Sequence, residues 1–171
     1  MDELKNQKCP VCKQDKLTLI EENYNIPHFG KCFLMSMDCS NCNFHKADVE
    51  SEERKEPCKY SFVIKSKSDL SVKVIKSSEA TIKIPQLKLS VTPGPSSTGY
   101  ITNVEGILSR FKKIIEDQRD LEEEPEIKKK AKNLLKRLWK VELGEVELKI
   151  ILEDPSGNSA ILSDKAEVQK L

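Results

Sequence analysis

Four cysteines near the N-terminus form two pairs whose spacing suits a metal ion. Cys9 and Cys12 make one C-x-x-C pair, and Cys39 and Cys42 make the second. Both sulfurs of a C-x-x-C turn can point to the same side, so two such turns supply a tetrahedral four-sulfur site for zinc. The intervening residues 13–38 are long enough for the hairpin of a zinc ribbon. The sequence therefore predicts one structural Zn²⁺ held by these four thiolates.

A four-thiolate zinc site is closed, because it leaves no coordination position for a water molecule. Such a site stabilises a fold and does not hydrolyse a substrate. Two redox-active pairs or buried free thiols are the alternative interpretations. A redox C-x-x-C pair requires a thioredoxin-like setting, whereas the residues that flank these pairs are typical of zinc-finger knuckles.

Two further cysteines and two histidines lie close to these pairs in the sequence. Cys32 lies in the apolar run CFLMSM and Cys58 starts a β-rich region, so both are expected in the core. His28 and His45 flank the finger, and either could replace a cysteine ligand. The complete set of four cysteines makes that replacement unnecessary.

No catalytic motif accompanies the cysteines. The sequence contains no G-x-S-x-G, H-E-x-x-H, phosphate-binding loop or dinucleotide fingerprint. Carboxylates are numerous, so an enzyme that uses a pair of acidic residues stays open as a further alternative for the function. Glu105 is better explained as the partner of Thr102 in a helix capping box, and residues 154–159 as a turn. We therefore expect that the protein is not an enzyme.

The bulk composition limits the class of protein and its location. The 171 residues suit one domain of ordinary size, or one domain with a small module. Lys and Arg number 29 and Asp and Glu 28, whereas a nucleic-acid-binding protein of this size usually shows a clear basic excess. The N-terminus is polar and no segment is long and apolar enough to cross a membrane, so a cytoplasmic location is expected.

Hydrophobic periodicity predicts a mainly β chain with a helical insertion. Short β-rich runs, each bounded by charge, serine or proline, predict strands at YSFVIKS, SVKVIKS, ATIKI and LKLSV. After the turn-forming stretch TPGPSSTG, two amphipathic helices are predicted as a hairpin at about 102–140, the second starting at Pro125. After the helices, a strand is predicted at EVELKIILED, with SAILSD as its partner strand. A terminal strand or a loose tail is predicted at KAEVQKL. The predicted modules are 1–52 and 53–171.

The second predicted helix is basic on one side. This face is expected to be solvated, but it also favours an alternative function as an RNA- or ribosome-binding module. The lysines concerned are Lys128, Lys129, Lys132, Lys136 and Lys140.

Several longer motifs resemble the ZPR-type zinc-finger family over nearly the whole chain. The first is the finger, with Cys9-Pro-Val-Cys12, the IPHF of residues 26–29, the LMSM of residues 34–37 and the CSNCNF of residues 39–44. Later motifs lie at residues 69–77, 84–85 with 99–108, and 154–159. Asn43 stands where the family usually has glycine, and residues 45–48 replace its usual asparagine-rich stretch before an acidic residue.

The resemblance implies a fold and a partner. Family members carry a double-stranded β-helix, a jelly-roll-like fold with an inserted helical hairpin, after the zinc ribbon. A chain with one copy resembles the single-module form of archaea. Members bind translation elongation factor 1-alpha, so an adaptor or folding factor for this GTPase is expected, with no membrane and no small-molecule substrate. Besides the exposed side of the finger, the expected partner contacts are Thr102, Glu105, Gly106, Asp154, Ser156, Gly157 and Asn158.

Overall fold

A computed structural model describes residues 2–26 and 30–171. Pro27, His28 and Phe29, which belong to one of the motifs above, lie outside the described residues. Within the described part, an N-terminal antiparallel sheet is followed by two further sheets and a pair of helices. None of the described helices has the length and apolar character needed to span a membrane.

The N-terminal sheet forms the finger. Its strands are β1 (Asp2–Lys8), β2 (Asp15–Ile26), β3 (Gly30–Cys39) and β4 (His45–Ser51), and they pair in that order. Strands β2 and β3 are paired from Leu17↔Cys39 to Ile26↔Gly30, which confirms the long hairpin predicted between the cysteine pairs.

The remaining strands form two sheets of a jelly roll. They are β5 (Cys58–Ile64), β6 (Lys73–Lys76), β7 (Thr81–Ile84), β8 (Leu89–Val91), β9 (Tyr100–Asn103), β10 (Leu148–Asp154), β11 (Ala160–Leu162) and β12 (Glu167–Lys170). One sheet has the order β12-β5-β10-β7-β8 and the other β11-β6-β9. The four predicted strands after the finger correspond to β5–β8, and the terminal segment is the strand β12.

Alternating side chains of these strands build the main core. In β10, Leu148, Ile150 and Leu152 are buried, and the residues between them are partly exposed. Phe62 and Ile64 on the neighbouring β5 are also buried, and they belong to the same apolar cluster. This period of two places one face of the five-stranded sheet on the core, as the sequence pattern indicated.

The helical hairpin consists of α1 (Val104–Leu121) and α2 (Pro125–Glu142). The capping box predicted at Thr102 and Glu105 is wrong, because Thr102 is still paired with Val74 in the sheet. Asn103 caps the helix instead, and its Oδ1 accepts a hydrogen bond of 2.8 Å from the N–H of Gly106. An asparagine amide is among the best helix caps, so the start moves by one residue without loss of a cap.

The helices bury narrower faces than their apolar periodicity suggests. Ile107, Leu108 and Phe111 of α1 and Leu138 of α2 are buried in the main core. Three residues predicted on the apolar faces are exposed by 40% or more, namely Ile114, Ile127 and Trp139. Ile114 and Trp139 lie at the edges of their stripes, and Ile127 lies on the first turn of α2.

The predicted pairing of SAILSD with the preceding strand is wrong. Strand β11 pairs with β6 in the three-stranded sheet, from Ala160↔Ile75 to Leu162↔Lys73, whereas β10 lies between β5 and β7 in the other sheet. Residues 155–159 therefore form a crossing from one sheet to the other. The partner positions of β10 are already filled by β5 and β7, so the chain has to leave that sheet.

A second apolar cluster joins the finger to the jelly roll. Cys32 of β3 is buried against Ile75 of β6 and Ala160 of β11. Val49 of β4 packs against the same cluster. The prediction that Cys32 is a core residue is confirmed, and this core lies at the junction of the two modules.

Candidate metal centre

The four paired cysteines lie in two knuckles with matching backbone hydrogen bonds. In the first, the N–H of Cys9 donates to the carbonyl of Gln14, and the N–H of Lys13 donates to the carbonyl of Cys9, at 2.9 and 3.0 Å. In the second, the N–H of Cys39 donates to the carbonyl of Phe44 at 2.8 Å, and the N–H of Asn43 donates to the carbonyl of Cys39 at 3.0 Å. Each knuckle is thus a closed turn between two strands of the finger sheet.

Each knuckle needs one residue in the left-handed region directly after its second cysteine. Lys13 has φ 63° and Asn43 has φ 56°. Asparagine tolerates this conformation better than most residues with a Cβ atom. The asparagine found where the family usually has glycine is therefore compatible with the same turn.

The sulfur atoms fit a tetrahedral zinc ion. The Sγ atoms of all four cysteines lie within 4.8 Å of one another. The Sγ atoms of Cys9 and Cys42 are 3.7 Å apart, and those of Cys12 and Cys39 are also 3.7 Å apart. Zn–S bonds of about 2.3 Å in a tetrahedron place two sulfurs about 3.8 Å apart. The four cysteines of the finger can therefore hold one zinc ion, which would clamp the two knuckles together.

Backbone groups of the knuckles favour the thiolate form that zinc binds. The N–H of Gln14 lowers the pKa of Cys12 to about 6, with help from the side chain of Asn41. The N–H of Phe44 acts in the same direction on Cys42, but partial desolvation of the Cys42 thiol and the three neighbouring thiols raise the pKa of Cys42 to about 12. Four thiols this close thus cannot all ionise without a compensating positive charge, which a divalent cation supplies.

The site lies at the end of the finger sheet away from the jelly roll. Cys9 and Cys39 are buried with Leu17, whereas Cys42 is exposed. Along β3, Cys32 at the module junction is seven residues from Cys39, or about 23 Å in an extended strand. A zinc ion would therefore stabilise the far end of the finger and would not touch the junction.

The remaining cysteines and His45 are not part of this cluster. The thiol of Cys58 is half-buried and donates to the carbonyl of Ser159 at 3.8 Å, and burial raises its pKa. His45 Nδ1 lies 2.6 Å from the carboxylate of Asp38, on the exposed surface of the finger. His28 lies outside the described residues.

The predicted partner contacts around the start of α1 divide into an exposed and a structural group. The Glu105 side chain is exposed on the first turn of the helix. Gly106 is partly buried, and a Cβ atom there would lie 2.1 Å from the Oγ1 of Thr102. Thr102 and Gly106 thus shape the helix start, whereas Glu105 is available on the surface.

The second predicted group, residues 154–159, is largely buried. The carboxylate of Asp154 accepts hydrogen bonds from the N–H and hydroxyl of Ser156 and from the hydroxyl of Ser159. Gly157 has φ 70°, and a Cβ atom there would lie 2.3 Å from the carbonyl oxygen of Glu56. Asn158 is buried as well. This crossing is held from within and packs against residues 55–56, which lead from the finger into β5.

Sequence reasoning missed a polar contact between the modules. The Oδ1 of Asp48 accepts hydrogen bonds from the N–H groups of Val49 and Gly99, at 2.8 and 2.7 Å. A Cβ atom at Gly99 would lie 2.1 Å from the carbonyl oxygen of Val49. Residues 45–48 depart from the family pattern, but nothing in the sequence indicates that Asp48 contacts Gly99.

Family models match both modules. A model described as the ZPR1 zinc-finger domain matches residues 3–57, and one described as the ZPR1 jelly-roll domain matches residues 68–170. These matches confirm the fold class expected from the sequence, a zinc ribbon followed by a jelly roll with two helices.

Similar proteins occur in archaea and eukaryotes. A ZPR1-like protein of Methanocaldococcus jannaschii is 38% identical over 100% of this chain and 87% of its own length. One of Pyrococcus horikoshii is 31% identical over 100% of this chain and 78% of its own length. The zinc finger chaperone zpr1 of Schizosaccharomyces pombe is 31% identical over 80% of this chain, but over 30% of its own length. The chain belongs to the ZPR1 zinc-finger protein family, in the single-module form of its archaeal relatives.

Proposed function

We propose that this protein is a cytoplasmic adaptor or folding factor, not an enzyme, that binds translation elongation factor 1-alpha. The supporting observation is that both family modules are present together, and that a fungal relative carries the name of a zinc finger chaperone. In this proposal Cys9, Cys12, Cys39 and Cys42 ligate one structural zinc ion. The zinc maintains the shape of the finger and takes no part in a reaction.

The modules act as one binding surface in this proposal, with the finger at residues 1–52 and the jelly roll at 53–171. The bond between Asp48 and Gly99 and the cluster around Cys32 support this, because they fix the finger on the three-stranded sheet. Glu105, at the exposed start of α1, is the proposed direct contact. The buried residues of 154–159 act indirectly, by holding the segment that joins the modules.

A pull-down tests this function. The zinc-loaded chain is immobilised and incubated at moderate salt with a purified archaeal elongation factor 1-alpha in its GDP-bound and GTP-bound forms. Retention of the factor in at least one nucleotide state is the expected result. Glu105→Lys should weaken retention at least tenfold, and Glu116→Lys, an exposed acid on the same helix, serves as the matched control. Absence of retention in both nucleotide states would refute the proposal.

One feature favours the alternative function, RNA or ribosome binding. Lys128, Lys132, Lys136 and Lys140 follow one another at intervals of four along α2, over about 18 Å. None of the ion pairs in the described part of the chain includes them. Affinity for RNA that falls steeply with salt, and that is lost in Lys132→Glu/Lys136→Glu, would support this function. Absence of RNA binding at low salt would exclude it.

A further inference from the structure

A groove of about 430 Å³ lies between α1 and the loop of residues 92–99. Apolar side chains dominate its lining: Ile82 and Val91 come from the five-stranded sheet, and Ile107, Phe111 and Ile114 come from α1. Ile114 is 40% exposed, so the groove has an apolar edge that the described residues leave uncovered. We call this feature the α1–loop groove.

Three cations line the same groove. The guanidinium of Arg110 lies 4.2 Å from the centre of the Tyr100 ring, and the Nζ of Lys76 lies 5.5 Å from it. Lys76 is buried and donates to the carbonyl of Ser77, and Lys113 is paired with Asp117 at 3.3 Å. The residues described along the groove include no Asp or Glu.

Arg110 is the cation available to a ligand. It forms no ion pair with the described residues, and its side chain is exposed. Stacking on Tyr100 fixes the plane of the guanidinium next to the apolar edge. A planar guanidinium held in this way suits a carboxylate, which it binds through two parallel hydrogen bonds.

We propose that the α1–loop groove binds an extended segment of a partner protein, in which a large apolar side chain lies next to an acidic residue. The apolar side chain covers Phe111 and Ile114, and the carboxylate pairs with Arg110. The charge of the groove selects an acidic segment over a basic one. A partner segment is favoured over an enclosed small molecule, because Arg110 and Ile114 lie at an exposed rim where a peptide backbone can stay in water. The proposal rests on the proposed function in that the occupant belongs to a protein partner.

A titration followed by ¹⁵N nuclear magnetic resonance tests the groove directly. The probe is a synthetic capped peptide with a Leu-Phe centre flanked by two glutamates on each side. Two matched peptides replace the glutamates by lysine or the Leu-Phe centre by Ser-Ser. The acidic apolar peptide should shift the amide signals of residue 100 and residues 107–114 in a saturable manner, and both matched peptides should bind at least tenfold more weakly.

Variants of the protein complete this test. Arg110→Glu and Ile114→Asp should each weaken binding of the acidic apolar peptide at least tenfold, and both substitutions change residues that are exposed at the groove. Arg137→Glu changes an exposed residue on the other helix, makes the same charge change as Arg110→Glu outside the groove, and should leave binding unchanged. The proposal is overturned if binding of the acidic apolar peptide does not saturate, or if the peptide shifts the amide signals of other residues instead. It is also overturned if the lysine peptide binds equally well, or if hexanoate alone, a small carboxylate with an apolar chain, binds with the same affinity.

The pull-down separates this proposal from the proposed function. If the wild-type chain retains the elongation factor and Arg110→Glu retains it equally, the groove does not hold the partner and the proposal fails. If the wild-type chain does not retain the factor but binds the peptide as described, the groove assignment stands and the choice of elongation factor 1-alpha fails.

Discussion

The carboxylate of Asp48 accepts a hydrogen bond of 2.7 Å from the backbone N–H of Gly99. This bond joins the last strand of the finger to the loop that leads into β9. The same loop borders the α1–loop groove, and β9 ends at the cap of α1. The position of the finger and the shape of the proposed binding surface are therefore coupled through one short segment.

Loss of the Asp48 carboxylate should destabilise the junction. Asp48→Ala leaves the N–H groups of Val49 and Gly99 without this acceptor, at an expected cost of about 1.5–3 kcal/mol in the free energy of unfolding. Asp48→Asn keeps an oxygen acceptor and should cost less than the alanine variant. Chemical denaturation of the zinc-loaded chain measures both, and an unchanged midpoint for Asp48→Ala would contradict the coupling.

The close approach at Gly99 gives a sterically defined prediction. A Cβ atom at Gly99 would lie 2.1 Å from the carbonyl oxygen of Val49 and 3.2 Å from that of Lys76, so Gly99→Ala must move the finger or the loop. Overpacking of this kind costs about 1–3 kcal/mol. We expect faster cleavage by protease within residues 52–57. Gly94→Ala in the same loop meets nothing within 4 Å and is the matched control; equal cleavage of both variants would disprove the steric account.

Asp69 should make stability depend on pH in the acidic range. The Nζ of Lys165 and the N–H groups of Lys65 and Ser66 lower the pKa of this buried carboxyl to about 2. Because the pKa in the folded chain lies below that in the unfolded chain, the stabilisation is present above the unfolded value near 3.8 and is lost as the pH falls toward 2.

Asp69→Asn tests this linkage. The variant should be less stable than the wild type at pH 7, and the difference should shrink as the pH approaches 2. Thermal unfolding followed at a series of pH values measures it. Asp164→Asn, an exposed acid next to Lys165, should keep the pH dependence of the wild type. A parallel loss of stability in wild type and Asp69→Asn over this range would show that Asp69 is not responsible.

The metal content follows from the geometry of the four sulfurs. Elemental analysis of dialysed protein should give one zinc per chain. Serine at any one of the four paired cysteines should leave well under one zinc per chain and an unfolded finger, because metal binding and folding of such a module are coupled. Cys58→Ser, outside the cluster, should retain one zinc. Well-folded protein without metal would contradict the zinc assignment.

Much of the fold could be predicted because its signals are local. The alternation of apolar residues marks the strands of the jelly roll, and the break at residues 92–99 and Pro125 delimit the helices. The four cysteines were identifiable because metal ligation restricts both residue type and spacing. Each strand, each break and each C-x-x-C pair can be read within a window of a few residues.

The missed features depend on contacts between distant segments. The pairing of β11 with β6 is decided by which partner positions β5 and β7 leave open, and no turn signal reports that. Helical periodicity predicts the stripe that contains Trp139, but not where the sheet stops covering it. The bond between Asp48 and Gly99 joins two residues 51 positions apart, and neither belongs to a repeating pattern.

Direct titration with elongation factor 1-alpha is the most immediate test of the account. The factor is added to the zinc-loaded chain in a calorimeter at moderate salt, separately with GDP and with a GTP analogue. The account predicts saturable binding of one factor per chain in at least one nucleotide state, weakened by Glu105→Lys and unchanged by Glu116→Lys. No heat of binding in either state, with protein that holds one zinc and unfolds cooperatively, would contradict it.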